Sequence, residues 1–285
     1  MKIKWLPILF LMFSTAILSY GSTVRGADDK MKDSENPVGQ QILKTATLPN
    51  SLSLFRPGDK LQRLGEPEPI DESQTEEIKY WLFIPENESA KTEDGFPLLL
   101  FLHGMGERGD DPEKVKIHGP ANILETDKAK DWPFLTISPQ CPNGKYWSPL
   151  QLLKLLDEVE TLYPIDKSRE YVTGLSMGGF GTWMLLIEDA DRFAASAPIC
   201  GGVEAEEAKL LLDYPIWIFH GKEDFAVPVK YSIDAELAIQ SAGGDKVKLT
   251  VYPGVGHNSW VPAYNDPELY QWFLKHINPL KKNKN

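Results

Sequence analysis

Ser176 lies in Gly174-Leu175-Ser176-Met177-Gly178, a serine flanked by glycine two residues away on either side. A hydroxyl becomes an effective nucleophile when a neighbouring base takes its proton and a carboxylate holds that base in place. Both partners follow in the chain, in the order serine, acid, histidine. Asp224 ends His220-Gly221-Lys222-Glu223-Asp224, and His257 sits in Gly254-Val255-Gly256-His257-Asn258. A tetrahedral adduct on the serine would also need two N–H donors for its oxyanion. Met177, directly after the serine, offers one. Met105, in the glycine-flanked run His103-Gly104-Met105-Gly106, offers the other. The chemistry these residues predict is acyl transfer through a covalent serine intermediate.

Other residues compete for the roles. Glu223 adjoins Asp224, but neighbouring side chains point in different directions, so Asp224 is preferred as the acid. His103 and His118 precede the serine and break the expected order. His220 reads as a hydrogen-bonding residue at a strand end, and His276 falls in a terminal helix. Glu107 and Arg108 read as an ion pair pinning the oxyanion loop. Trp147, Gln140 and Trp260 are the candidate substrate contacts, with Tyr146 and Phe225 as further rings able to stack on a sugar or phenol. No set of His, Cys and carboxylate residues has metal-ligand spacing in the sequence, and no metal or organic cofactor is implied.

The elements that must position these residues can be read from the hydrophobic pattern. Short apolar runs predict strands over 78–84, 97–102, 134–138, 170–174, 194–199, 216–219 and 247–252. Several are apolar on both faces, as in strands buried within a parallel sheet. Helices are predicted over 150–163, 178–189, 229–242 and 267–277. In the first, Leu152, Leu155, Leu156, Val159 and Leu162 recur at helical spacing until Pro164 stops the run. Strand alternating with helix predicts an α/β architecture, a mostly parallel sheet covered on both faces. Ser176 then stands at a strand–turn–helix junction, the setting a nucleophile elbow requires. Asp224 and His257 follow later strands, on loops at the carboxyl ends where sites in such sheets form. Only residues 200–215 separate two successive strands where a multi-helix cap would sit, so no large cap domain and an open cleft are expected. The longer irregular insertion runs from Gly104 to Trp132.

Composition places the chain among ordinary globular proteins, with 42% hydrophobic and 25% charged residues. Lys2 and Lys4 precede an apolar stretch from Trp5 to Leu18, and small or polar residues lead to Ala27. That layout predicts a secretory signal peptide over 1–27 and an exported, secreted or periplasmic protein with no stable membrane insertion afterwards. Residues 28–76, rich in Pro and Gly, read as an N-terminal arm with little regular structure, and 77–280 as the catalytic domain. Removing 1–27 takes Lys2, Lys4 and Arg25 and no acidic residue. The remaining 27 basic and 41 acidic residues change the net charge from −11 to −14. An acidic surface lacks the footprint of a nucleic-acid binder and suits neutral substrates. Cys141 and Cys200 each follow a predicted strand, and a disulfide and two buried free thiols remain alternatives.

Phe101-Leu102-His103-Gly104-Met105-Gly106-Glu107-Arg108-Gly109, Ser138-Pro139-Gln140-Cys141-Pro142, Tyr171-Val172-Thr173-Gly174-Leu175-Ser176-Met177-Gly178-Gly179 and the Asp224 and His257 runs carry a family resemblance. The chain resembles α/β-hydrolase fold serine esterases of the phospholipase/carboxylesterase-like and polyhydroxybutyrate-depolymerase-like kinds, relatives of feruloyl and acetylxylan esterases. The resemblance covers about residues 78–277 and implies the triad Ser176, Asp224 and His257. It specifies substrate poorly. The expectation is hydrolysis of a carboxylic ester, small or attached to polysaccharide, with acyl or feruloyl groups on carbohydrate preferred. A lipid esterase or lysophospholipase and a small serine peptidase are the alternatives.

Overall fold

The computed structural model describes residues 38–49 and 75–281. The signal peptide expected over 1–27 lies outside them. Eight strands form one sheet: β1 (Gln41–Pro49), β2 (Thr75–Phe83), β3 (Phe96–Leu102), β4 (Leu135–Pro139), β5 (Ile165–Leu175), β6 (Ala195–Ile199), β7 (Ile216–Gly221) and β8 (Val247–Tyr252). Their spatial order is β1-β2-β4-β3-β5-β6-β7-β8. From β4 to β8 every pairing is parallel; β2 joins β4, and β1 joins β2, antiparallel.

Helices α1 (Gly119–Ile123), α2 (Pro149–Leu162), α3 (Met177–Asp189), α4 (Ala205–Ala208), α5 (Lys230–Ser241), α6 (Trp260–Asn265) and α7 (Pro267–Lys275) cover the two faces. β3 explains why both faces must be covered, because all seven of its residues are buried. Leu98, Leu100 and Leu102 pack with α2, α3 and α5, while Leu99 and Phe101 point the other way, into a layer with α1, α6 and α7. α2 illustrates how local sequence sets an element. Ser148 caps it by accepting from the Gln151 N–H at 3.4 Å, Pro149 supplies the first turn, and Leu152, Leu155, Leu156 and Val159 form its buried face.

The seven predicted strands are all present, but β1 corrects the expectation of little regular structure over 28–76. Gln41–Pro49 pairs along its whole length with β2, from Gln41 opposite Phe83 to Pro49 opposite Thr75. Its signal is brief: Ala46 and Leu48 are buried while Leu43, Thr45 and Thr47 are exposed. A period-two pattern this short is masked by the Pro- and Gly-rich sequence around it.

The insertion after β3 has only short helical turns, and β2 staples it down. The Trp81 indole N–H donates to Pro112 O at 2.8 Å, and the Lys116 ammonium lies 3.5 Å from the Trp81 ring centre. Between β6 and β7 the chain holds only α4 and a single further turn, Lys209–Leu211. Among the described residues, no helix is long and apolar enough to cross a membrane.

Candidate active site

Ser176 sits between β5 and α3 with φ 53° and ψ −115°. A non-glycine residue in this region costs about 1–3 kcal/mol, so the surroundings must impose the conformation. They do so by close approach. A Cβ at Gly178 would lie 2.0 Å from Leu102 O, and one at Gly174 would lie 2.3 Å from Gly178 O. The turn is therefore closed to any side chain at either flanking position. The Ser176 N–H donates to Ile199 O at 2.9 Å, and the first bond of α3 runs from the Phe180 N–H to Ser176 O at 3.0 Å. The N–H groups of Met177, Gly178 and Gly179 consequently have no acceptor within the helix.

The structure brings the three residues inferred from chain order into one hydrogen-bonded series. His257 Nε2 is 2.8 Å from Ser176 Oγ, and His257 Nδ1 is 2.7 Å from Asp224 Oδ2. Nδ1 faces a carboxylate and so carries the ring proton, which leaves Nε2 free to accept from the serine. Asp224 is buried, and its Oδ1 accepts from the N–H groups of Ala226 and Val227, both at 2.9 Å. Glu223 is exposed. His220 is a support for the acid, as expected of a strand-end histidine. Its Nε2 lies 2.9 Å from Val227 O and 3.3 Å from Asp224 Oδ2, and its Nδ1 accepts from the Ser232 hydroxyl at 2.7 Å. Burial lowers the His220 pKa, which favours a neutral ring.

Met105 opens a helical turn, Met105–Glu107, pressed against the elbow: a Cβ at Gly104 would lie 2.8 Å from Leu175 Cδ1. The loop is held from behind. The buried His103 ring donates from Nδ1 to Gly104 O at 2.6 Å and accepts the Cys141 N–H on Nε2 at 3.0 Å. Burial pushes the His103 pKa down to about 4, so the ring is neutral near pH 7.

Two proposed substrate contacts are corrected by this packing. Gln140 is only 4% exposed, and its amide donates to Glu107 O at 3.0 Å and Asp111 O at 2.6 Å. Trp147 is also buried, donating from Nε1 to His103 O at 3.2 Å. Both brace the Met105 loop from the protein interior, Gln140 from just after β4 and Trp147 from just before the Ser148 cap of α2. The expected Glu107–Arg108 ion pair is absent. Arg108 donates instead to Met105 O and Lys145 O, while the buried Glu107 places Oε1 3.9 Å from His118 Nε2. Trp260, the third proposed contact, does reach the site. Its ring stands 5.4 Å from that of His257 at 89° and 5.4 Å from that of His118.

No local spacing or motif announces Cys200 at this site. Cys141 and Cys200 are both buried free thiols, so the disulfide alternative falls. Cys200 Sγ, an Asp224 carboxylate oxygen and a His257 ring nitrogen lie within 4.8 Å of one another. Its backbone adopts φ 40°. The three come from the ends of β6, β7 and β8, and only the folded sheet makes them neighbours.

Comparison with known proteins agrees with this architecture. Residues 150–266 match the dienelactone hydrolase family. A bifunctional acetylxylan esterase/xylanase of Neocallimastix patriciarum is 30% identical over 135 residues, 45% of this chain and 19% of that protein. Poly(3-hydroxyalkanoate) depolymerase C of Paucimonas lemoignei is 29% identical over 130 residues, 37% of this chain and 31% of that protein. The chain thus spans less than a third of the length of either curated relative. The crystal structure of a thermostable esterase superposes with a TM-score of 0.64 at 33% identity, covering 72% of this chain and 60% of the other. With its mostly parallel eight-stranded sheet and helices on both faces, the chain has the α/β-hydrolase fold, and its similarities are to ester hydrolases.

Proposed function

We propose that the protein is an exported serine hydrolase of carboxylic esters, with Ser176 as nucleophile, His257 as general base and acid, and Asp224 as the residue that orients His257. The observation that carries this reading is the unbroken series Ser176 Oγ, His257 Nε2, His257 Nδ1, Asp224 Oδ2, with both links under 3 Å. As Oγ attacks the ester carbonyl, its proton passes to Nε2, and the buried carboxylate stabilises the imidazolium that forms. The backbone N–H groups of Met177 and Met105 receive the oxyanion. The imidazolium then protonates the leaving alcohol. Water, deprotonated by the same histidine, releases the acid from the acyl-enzyme. Each step uses only these side chains, two backbone donors and water.

For substrate, acyl or feruloyl esters on carbohydrate fit best. The short 200–215 segment leaves room for a bulky alcohol portion, the acidic surface tolerates neutral sugars, and Trp260 stands beside His257 to meet an aromatic or sugar ring. The relative from Neocallimastix patriciarum carries acetylxylan esterase in its name. A lipid esterase is the second reading. It draws support from the apolar groups left in solvent close to the site in sequence: Phe225 is 96% exposed, and Met105 and Val261 are 43% and 48% exposed.

The test uses p-nitrophenyl acetate and butyrate with a fluorophosphonate probe, on wild type and Ser176→Ala. Turnover and labelling in wild type alone are expected; a wild type that does neither overturns the reading. Acetylated and feruloylated oligosaccharides, lysophospholipids and short peptides, compared by kcat/KM, then assign the substrate class. Trp260→Ala should weaken feruloyl substrates more than acetyl ones.

A further inference from the structure

Cys200 is a buried thiol beside the site that the hydrolytic mechanism does not use. It is fully buried, and its N–H donates to Phe219 O at 2.9 Å, which fixes the residue at the end of β6. Among the described residues, Cys200, Asp224 and His257 form the one group of three or more His, Cys, Asp or Glu side chains close enough to share a cation. Thiolate sulfur, imidazole nitrogen and a single carboxylate oxygen suit zinc and softer cations; calcium and magnesium prefer oxygen alone. Zinc bonds of about 2.0–2.3 Å place tetrahedral ligand atoms about 3.6 Å apart, so side-chain movements of about 1 Å would close the group on a metal. His257 supplies the way in, since it is the one member with a substantially exposed side chain.

We propose that Cys200, Asp224 and His257 form an inhibitory site for a thiophilic divalent cation such as Zn²⁺ or Cd²⁺. The inference rests on His257 being the catalytic base. The cation bonds to Nδ1 of His257, where a proton now points at Asp224 Oδ2. That proton is lost from Nδ1 and one is gained at Nε2, so the ring stays neutral. Nε2 then donates to Ser176 Oγ and has no lone pair left to accept the serine proton. The Cys200 thiol releases its proton to solvent as the sulfur–metal bond forms. One dication enters, one proton leaves, and no electron is transferred. Thiolate and carboxylate together balance the two positive charges. Asp224 Oδ1 keeps the N–H groups of Ala226 and Val227, so its loop need not unfold to admit the ion. The fourth position is open to water.

The experiment titrates the metal-free, full-length protein with Cd²⁺ and follows two signals, p-nitrophenyl butyrate hydrolysis and the ultraviolet cadmium–thiolate absorption. Wild-type activity is expected to fall about a hundredfold at saturation, the lower end of what a general base contributes, and to return with EDTA. Cys141→Ala should keep this sensitivity; Cys200→Ala should lose it. The absorption should appear in wild type and Ser176→Ala and vanish in Cys200→Ala. Cys200→Ser, checked for folding by its melting temperature, replaces Cys200→Ala if that variant does not fold. An active wild type that neither loses activity nor gains the absorption overturns the site, as does inhibition that persists without Cys200. A wild type that hydrolyses no ester yet shows the Cys200-dependent absorption leaves the metal site standing and overturns the hydrolase assignment instead.

Discussion

Trp147 donates its indole N–H to the carbonyl of His103 at 3.2 Å while its ring packs edge-on against the His103 imidazole, centroids 4.8 Å apart. One side chain thereby fixes both the backbone and the ring of the residue that begins the Met105 loop, the proposed oxyanion seat. Replacing it with phenylalanine keeps an aromatic ring but deletes the donor. Trp147→Phe is expected to lower kcat/KM by about tenfold, mainly through kcat, because a loosened donor is felt in the transition state more than in binding. Steady-state kinetics on p-nitrophenyl butyrate check this; a rise in KM alone would contradict it.

Asp224 and Glu223 are adjacent carboxylates in different settings, one buried against His257 and the other exposed. Asp224→Asn should reduce kcat by about 10⁴-fold, because an amide facing Nδ1 no longer stabilises the proton there. Glu223→Gln should stay within about twofold of wild type, as for other exposed positions. Equal losses in the two variants would refute the assignment.

His103 makes stability depend on pH. Its folded pKa is held near 4 by burial, below the ordinary value of 6.5. Between these values the unfolded chain binds a proton that the folded protein does not. The contribution is therefore complete above about pH 6.5 and declines by about 3 kcal/mol as pH falls to 4, then levels off. Urea unfolding from pH 4 to 7 should show this slope in wild type and a shallower one in His103→Gln. Parallel slopes would remove His103 from the account.

The strain at Ser176 should be measurable apart from catalysis. Ser176→Ala leaves a Cβ at φ 53°, whereas Ser176→Gly removes it. After allowing for the greater freedom of glycine in the unfolded chain, the glycine variant should be more stable than the alanine variant by about 1 kcal/mol. Denaturant midpoints of the two inactive proteins decide the point, and a more stable alanine variant would count against stored strain.

Much of this site is legible in the linear sequence because strand ends carry it. Gly174 and Gly178 announce the elbow, and the order Ser176, Asp224, His257 follows from which strands precede them. What fails is any inference about side-chain direction. Gln140 and Trp147 sit beside motif residues yet turn inward, since the carbonyls of Glu107, Asp111 and His103 need donors there. Arg108 leaves Glu107 because the carbonyls of Met105 and Lys145 accept its guanidinium. Cys200 escaped notice because its proximity to His257 arises from the parallel pairing of β6, β7 and β8 and leaves no mark on local spacing. β1 was hidden because only Ala46 and Leu48 of its nine residues are buried, too few to mark a period of two.

The staples from β2 to the insertion after β3 divide the site between two regions of unequal permanence. Ser176 hangs from β5 at the centre of the sheet, while Asp224 and His257 follow β7 and the opposite edge strand β8. The Met105 side leans on Lys79, whose carbonyl takes the Gln140 N–H at 2.9 Å and whose ammonium meets Asp110 O at 3.3 Å, and on Trp81 beside it. Those anchors belong to β2, the second strand from one margin of the sheet. Margins open before centres do, so hydrogen exchange through residues 105–117 should keep pace with β2 and outrun β5. Heat or mild denaturant would then loosen the Met105 loop, the proposed seat for the oxyanion, while Ser176 still stands on β5.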